Sequence, residues 1–365
     1  MTQEITLPDG TTAWLVTGYE EARQALADRR ISKVVKAEEL GLTPELTRSM
    51  LRMMMFLDPP DHTRLRRLVS AAFTTRRVEA MRPRVEQLTA ELLDAVEPVR
   101  TPVDLIESFA YPLPLQVICE LLGVPAEDRV EFREWSAIVA AGPARQHELP
   151  EALARVQKRI EHLLAERSAH PGDDLLSGLL AVREEGDRLS ADELTSMVFM
   201  LLIAGHETTV NLIGNSVFVL LEDRDRWDRL RAEPGLLPTA IEEFIRYESP
   251  VANATHRRTT EALELGGREI PAGARVVVSL ARANRDGDRF EDADEPRMDR
   301  AQNPHLGFGH GIHYCLGAPL ARLQGEVALT ALMARFPRME PAGEVGRRSD
   351  FQRGVTKLPV RLHGQ

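Results

Sequence analysis

Cysteine is almost missing: the 365 residues contain two, Cys119 and Cys315. Two thiols cannot build a disulfide framework, which excludes a small secreted scaffold. Nor can the chain supply a four-cysteine zinc or iron–sulfur site. Lysine is nearly as scarce, at four of the 46 basic residues. The resulting arginine excess carries little functional weight, because genome base composition produces it too. Acids number 56 and the net charge is −10. That speaks against a dedicated nucleic-acid binder, whose affinity rests on neutralising phosphates. The longest apolar run, residues 197–205, ends at His206 and Glu207. It is far short of the roughly 20 residues that a membrane span needs. The first ten residues are polar and carry acids, unlike a secretory signal. Repeats, low-complexity tracts and linkers are absent. These absences point to a cytoplasmic globular protein that neither crosses a membrane nor binds nucleic acid. A 43% hydrophobic content suffices for a large core, and length alone suggests two domains.

What is present is mostly helical. Apolar residues recur at three- and four-residue spacing over 61–73, 78–96, 105–122, 127–141 and 148–169. Ser190-Ala191-Asp192-Glu193 is a capping box that opens a pattern running to about Leu221, roughly 32 residues and roughly 48 Å. A helix follows over 238–247, and another from near Cys315 to Phe336. Strand signals are few. A hairpin is expected within 6–16 around Asp9-Gly10, another around Gly266-Gly267, a strand over 275–280, and a last hairpin within 351–362.

Residues 305–320 read His-Leu-Gly-Phe-Gly-His-Gly-Ile-His-Tyr-Cys-Leu-Gly-Ala-Pro-Leu. Four glycines in this window imply unusual backbone angles or a close ligand. Pro319 suits the first turn of the helix that follows. Cys315 therefore lies at a helix N-terminus, where dipole and amides favour the metal-binding thiolate. An isolated cysteine is more often a small buried apolar residue. Here the glycine-rich loop, the helix start and His313 reverse that preference.

Phe308, Gly311, His313, Cys315 and Gly317 reproduce F-x-x-G-x-H-x-C-x-G. This resembles the heme-binding loop of the cytochrome P-450 family, bacterial heme-thiolate monooxygenases of biosynthetic type. The resemblance implies a mainly α fold with small β-sheets, a triangular helical prism around heme, and one domain over 1–365. It implies heme b (iron protoporphyrin IX) with Cys315 as axial metal ligand. His313 would bond a propionate, Phe308 would pack beneath the ring, and Gly309 and Gly317 complete the loop. A thiolate donates electron density through iron and favours O–O cleavage on the opposite side.

In the long helix, Leu201, Gly205, Thr208 and Leu212 share one face. Gly205 and the β-branched Thr208, Thr209 and Val210 are weak helix formers, and such local conflict often marks a functional site. Taken alone, a helix crossing at Gly205 explains them equally well. Residues 204–209, however, read Ala-Gly-His-Glu-Thr-Thr, the family's oxygen-binding motif. By that resemblance Ala204 and Gly205 adjoin the heme, Thr208 hydrogen-bonds dioxygen, and Glu207 delivers protons. A zinc protease is excluded, because Val210 occupies the second histidine position of H-E-x-x-H.

Buried propionates need cationic partners. His62 and Arg66 stand four apart on a helix face, and by themselves read as a solvated charged face. The resemblance assigns both to a propionate, with Arg257 as a third partner. Glu243 and Arg246 match the family's E-x-x-R, and Arg297 matches the arginine that joins them in a structural ion-pair network. Seven arginines between His62 and Arg84 (64, 66, 67, 76, 77, 82 and 84) face one acid, Glu79. They read either as an exposed helix face or as a docking site for a ferredoxin-type electron donor supplied by an NAD(P)H reductase.

The resemblance runs from Ile5 to Leu362 and departs at the start, where bacterial members usually carry a further stretch including a helix. It places residues 50–56, 141–148, 203–204, 251–254 and 355–356 toward a small organic, lipophilic or natural-product substrate. The expected reaction inserts one oxygen atom from O2. Two rivals are a catalytically silent heme-thiolate binding or recruitment protein, and a zinc site from His305, His310, His313 and Cys315. Cys119, in an apolar stretch, is expected to be buried and inert.

Overall fold

The structure is a computed structural model describing residues 1–7, 10–35, 52–96, 102–140, 145, 147–182, 187–349 and 351–363. They fall into two compact units: Lys33–Arg77 with Leu115–Glu207, and Met1–Ser32 with Val78–Pro114 and Thr208–Gln365.

The first unit is helical. Helix α1 (Asp61–Ala72) buries Leu65, Leu68, Val69 and Ala72, the 3–4 stripe of an amphipathic helix. Helix α2 (Arg129–Ala140) buries Phe132 and Trp135, whose rings meet edge to face at 4.8 Å. Helix α3 (Ala191–Glu222), whose residues up to Glu207 belong to this unit and the rest to the second, opens on the expected capping box. Glu193 N–H donates to Ser190 Oγ (3.2 Å), and Ser190 N–H donates to Glu193 Oε2 (2.8 Å). Glu193 also accepts from Arg64 of α1, whose guanidinium reaches Asp187 at 3.3 Å. Helix α3 is long and apolar enough by composition to cross a membrane, but its apolar window is mostly buried inside the protein. It is a core helix.

The second unit holds the sheets. Strand Thr2–Thr6 pairs antiparallel with Thr12–Val16, which runs parallel to Val276–Val278. The first hairpin thus begins earlier than expected, and Asp9 in its turn lies outside the described residues. Val16, Tyr19, Leu26, Ile270, Val278 and Phe290 belong to the core over this sheet. The Gly266-Gly267 hairpin forms as expected, with both glycines at positive φ (59° and 70°).

Three expectations needed correction. No hairpin forms within 351–362: Arg353–Lys357 pairs with Gly346–Ser349, whereas Pro359–His363 pairs with Val103–Asp104 and Arg338–Pro341. Leu358 alone separates the two strands, too little chain for even a two-residue turn. The 78–96 helix breaks at Met81, where Pro83 enters the first turn of Arg82–Ala95. The 105–122 helix divides into a π-turn, Ile106–Ala110, and a helix beginning at Pro112.

Helix α4 (Leu237–Tyr247) carries Glu243 and Arg246, both fully buried, paired at 2.8 Å through two parallel hydrogen bonds. The third member is Arg300, not Arg297. Arg300 Nε donates to Glu243 at 3.0 and 3.2 Å, and Asn303 Nδ2 donates at 3.0 Å. Arg297 contributes only its backbone N–H to Glu243 (2.8 Å); its guanidinium faces outward to Glu291 and Asp292. The Arg300 guanidinium also donates to Glu291 O (2.8 Å) and Asp292 O (3.3 Å), which holds it inward.

Candidate functional site

The cysteine loop lies within the second unit and leads into helix α5 (Ala318–Arg335), with Pro319 in its first turn. Cys315 is exposed, three residues before the helix, and is in no disulfide. Its N–H donates to Phe308 O (2.9 Å), a backbone bond that closes the loop from Phe308 to Cys315. Gly309 and Gly311 take positive φ (76° and 73°). At Gly311 a side chain has no room either, since a Cβ would stand 3.1 Å from Leu26 O. His313 and Gly317 are half-buried in the same loop.

Behind Phe308 sits a polar cluster that sequence reading missed. The Arg322 guanidinium lies 4.5 Å from the Phe308 ring centroid and makes two hydrogen bonds to Glu242 (2.7 and 2.8 Å). His305 Nδ1 accepts from Gly307 N–H (3.1 Å), so Nε2 carries the hydrogen that reaches Glu242 Oε2 at 3.1 Å. Burial pushes the Glu242 carboxyl up, but the Arg322 and His305 bonds outweigh it and hold the group at about 2. A depressed carboxylate stabilises fully above its unfolded value near 4.3 and loses that contribution as pH falls through about 2. Glu242→Gln therefore flattens the fall in stability over that acid window, read by denaturant melts of the cofactor-free protein. Identical slopes for the two proteins would contradict it. Glu242 and Arg322 are eighty positions apart, so no local spacing could have signalled the pair.

Along α3, Leu201, Ala204, Gly205 and Thr208 stay at least partly accessible, while His206, Glu207, Thr209 and Val210 are buried. With the half-buried Ile203 the accessible residues form an open strip along the middle of a mostly buried helix. It ends at Thr208, because Leu212, expected on the same face, is buried. Gly205 has a packing reason as well: a Cβ there would stand 3.0 Å from Ile118 Cδ1.

His62 is buried in the first turn of α1, and Arg66 is half-buried one turn later. Burial lowers the His62 pKa, and the cations Arg66 and Lys33 lower it further. That local positive potential suits an anion. In the other unit Arg257 is also buried, with its carbonyl accepting from Val276 N–H (2.9 Å). Within one unit the exposed soft thiol on its glycine-shaped loop is a donor suited to the iron of a porphyrin; in each unit a buried or half-buried basic side chain is suited to a porphyrin's carboxylate.

Other expectations fared unevenly. Among the seven arginines, Arg64, Arg77, Arg82 and Arg84 each pair with carboxylates, so less charge is open than the count implies. The described residues contain no cluster of three or more potential metal-binding His, Cys, Asp or Glu, which disfavours the zinc reading. Cys119 is fully buried, and burial pushes its thiol up to about 12, so it stays protonated and inert. Of the expected substrate-facing positions, 50–51, 141–144 and 146 lie outside the described residues.

Comparison with known proteins is consistent throughout. The family model for cytochrome P450 matches residues 145–362. Cytochrome P450 107B1 of Saccharopolyspora erythraea is 49% identical over 98% of this chain and 91% of its own length. From the same organism, 6-deoxyerythronolide B hydroxylase is 47% identical over 97% of this chain and 91% of its own. The solved structure of the bacillaene polyketide synthase cytochrome P450 PksS of Bacillus subtilis superposes with a TM-score of 0.92 at 39% identity. That match covers 99% of this chain and 93% of the other.

Proposed function

The chain belongs to the cytochrome P450 family and is a monooxygenase with that family's fold; from this premise we propose which residues carry the reaction, and on what substrate. The carrying observation is the exposed Cys315 thiol on a loop closed by its N–H to Phe308 O, three residues before helix α5.

Heme b, when bound, supplies the one-electron and dioxygen chemistry. Cys315 would hold its iron through sulfur. His62, Arg66, Arg257 and His313 would hold its carboxylates, since each is a cation or donor in or beside a buried setting. Phe308, Gly309 and Gly317 would shape the loop around the thiolate, and Ala204 and Gly205, on the open strip, would adjoin the heme. Thr208 lies on that strip, and its hydroxyl is assigned to orienting a reacting oxygen by hydrogen bonding. Glu207, buried next to it in sequence, holds the proton that lets water leave.

The substrate we propose is a lipophilic natural product. The hydroxylase named above, whose own substrate is 6-deoxyerythronolide B, supports that class, as do the mainly apolar positions expected to face it. Electrons come from NAD(P)H through a reductase and a ferredoxin-type donor. The enzyme works in the cytoplasm, its long apolar helix buried in its own core. One functional domain over 1–365 is supported by relatives matched nearly end to end.

Reconstitution tests this reading. With NADPH, a ferredoxin reductase, a ferredoxin and the compound giving the largest spectral shift in a natural-product library, the wild type forms oxygenated product. Thr208→Ala lowers product per NADPH by about 10²-fold, with the electrons recovered as hydrogen peroxide. Unchanged coupling would remove Thr208 from proton delivery, and turnover driven only by peroxide would remove the ferredoxin-type donor.

A further inference from the structure

Past Thr208 the long helix carries two asparagines that the reaction as described does not use. Thr208, Asn211 and Asn215 follow one another at spacings of three and four, so they share one face of α3. Asn211 and Asn215 are 2% and 1% exposed. A buried amide is costly unless its hydrogen bonds are made, so plain packing would favour apolar residues at both places.

Asn215 makes three such bonds. Its Nδ2 donates to Glu248 O (2.9 Å) and Arg353 O (3.1 Å), and its Oδ1 accepts from Val355 N–H (3.1 Å). Two carbonyls on one side and an N–H on the other admit only one orientation of the side chain. Asn211, one turn nearer Thr208, donates from Nδ2 to Gln352 Oε1 (3.2 Å) and more weakly to Pro250 O (3.4 Å). Each asparagine therefore ties the same two segments to the helix: the irregular chain that follows α4, and the chain entering the strand Arg353–Lys357. The segments also bond to each other, Ala252 N–H to Phe351 O and Arg353 N–H to Pro250 O, both at 3.0 Å. Gly354 permits the close approach, since a Cβ there would overlap Asn211 Oδ1.

Both segments hold positions expected to face substrate. Val251, Asn253, Ala254 and Thr356 are at least partly accessible. Val355 is buried and Thr356 exposed, the alternation of a strand. Asn215 thus grips the strand at its inward residue and leaves Thr356 on the accessible side. We propose that Asn211 and Asn215 are positioning residues for the substrate: they fix both pocket-facing segments to the helix face that carries Thr208, and so set how the substrate is oriented toward it. That role rests on the assignment of those segments and of Thr208 given above; the hydrogen bonds do not.

The test uses the reconstituted heme protein and the library compound defined above. It reads the dissociation constant by spectral titration, and the distribution of positional isomers among the oxygenated products. Asn215→Ala keeps the absorption band of the reduced, carbon monoxide-treated protein, weakens binding about tenfold and moves the isomer ratio about fivefold, because small misplacements are felt strongly in rate. Asn211→Ala, which loses fewer and longer bonds, shifts both in the same direction by less. Gly354→Ala reproduces the Asn211→Ala pattern, and the double variant is no worse than either single, because removing the amide makes room for the methyl. If Asn215→Ala does not fold, Asn215→Ser takes its place with a smaller shift of the same kind. Purely additive losses in the double variant, or a lowered melting temperature with binding and isomer ratio unmoved, overturn the proposal. Thr356→Phe, which adds bulk on the accessible side of the strand, separates the positioning role from the pocket itself. If it moves binding while the asparagine variants do not, the pocket stands and the positioning role falls. If none of them moves it, the assignment of the segments to the pocket falls too. A shift in the asparagine variants alone upholds the positioning role and removes only Thr356 from contact with the compound.

Discussion

Cys315→Ala abolishes the absorption band that reduced, carbon monoxide-treated thiolate-ligated heme shows, and with it all monooxygenase product. The loss is complete rather than graded, because no second sulfur can substitute. Cys119 is fully buried and burial holds its thiol near 12, far from the thiolate form that binds metal. Cys119→Ala is therefore the matched control and keeps the band. Because Cys315 is exposed, its truncation creates no cavity, and the cofactor-free protein melts as the wild type does. This combination separates a lost ligand from a lost fold. Retention of the band in Cys315→Ala would end the ligand assignment.

Glu243→Gln has the largest expected effect on stability. It leaves Arg246 and Arg300 buried without the carboxylate that accepts from both, and takes an acceptor from Asn303 and from the Arg297 amide. Breaking a buried ion pair by removing one partner costs about 3–5 kcal/mol. Against a total of about 5–15 kcal/mol, that is enough to unfold much of the population at physiological temperature. Urea denaturation of the cofactor-free protein measures it directly. The same experiment discriminates the third member. Arg300→Ala is destabilising on a similar scale. Arg297→Ala is nearly silent, since its guanidinium meets only exposed carboxylates, and such pairs contribute about 0–1 kcal/mol. Equal losses for the two variants would contradict the geometry.

The arginine exchange shows where pattern reading stops. Glu243 and Arg246 are three apart on one helix, so spacing alone puts them on one face. The third cation comes from an irregular segment. There no period relates sequence to direction, and contacts with Glu243, Glu291 O and Asp292 O decide that Arg300 points inward. The capping box at Ser190 and the paired glycines at 266–267 were legible for the opposite reason, since each is complete within a few consecutive residues. The failed hairpin within 351–362 illustrates the limit from another side. Strand propensity was read correctly, but the pairing partners lie far away in sequence.

The sequence by itself determined the family and the boundaries of the helix that carries Glu207 and Thr208, and it singled out Cys315 as the candidate thiol. These depend on local chemistry: one thiol at a helix start, glycines where no side chain fits, and a cap that closes on its own turn. Only the tertiary structure decided which arginine completes the Glu243 network, which cluster backs Phe308, and that Asn211 stands against Gln352. Each is a contact between side chains tens of residues apart or more, brought together by packing that no short stretch of sequence encodes.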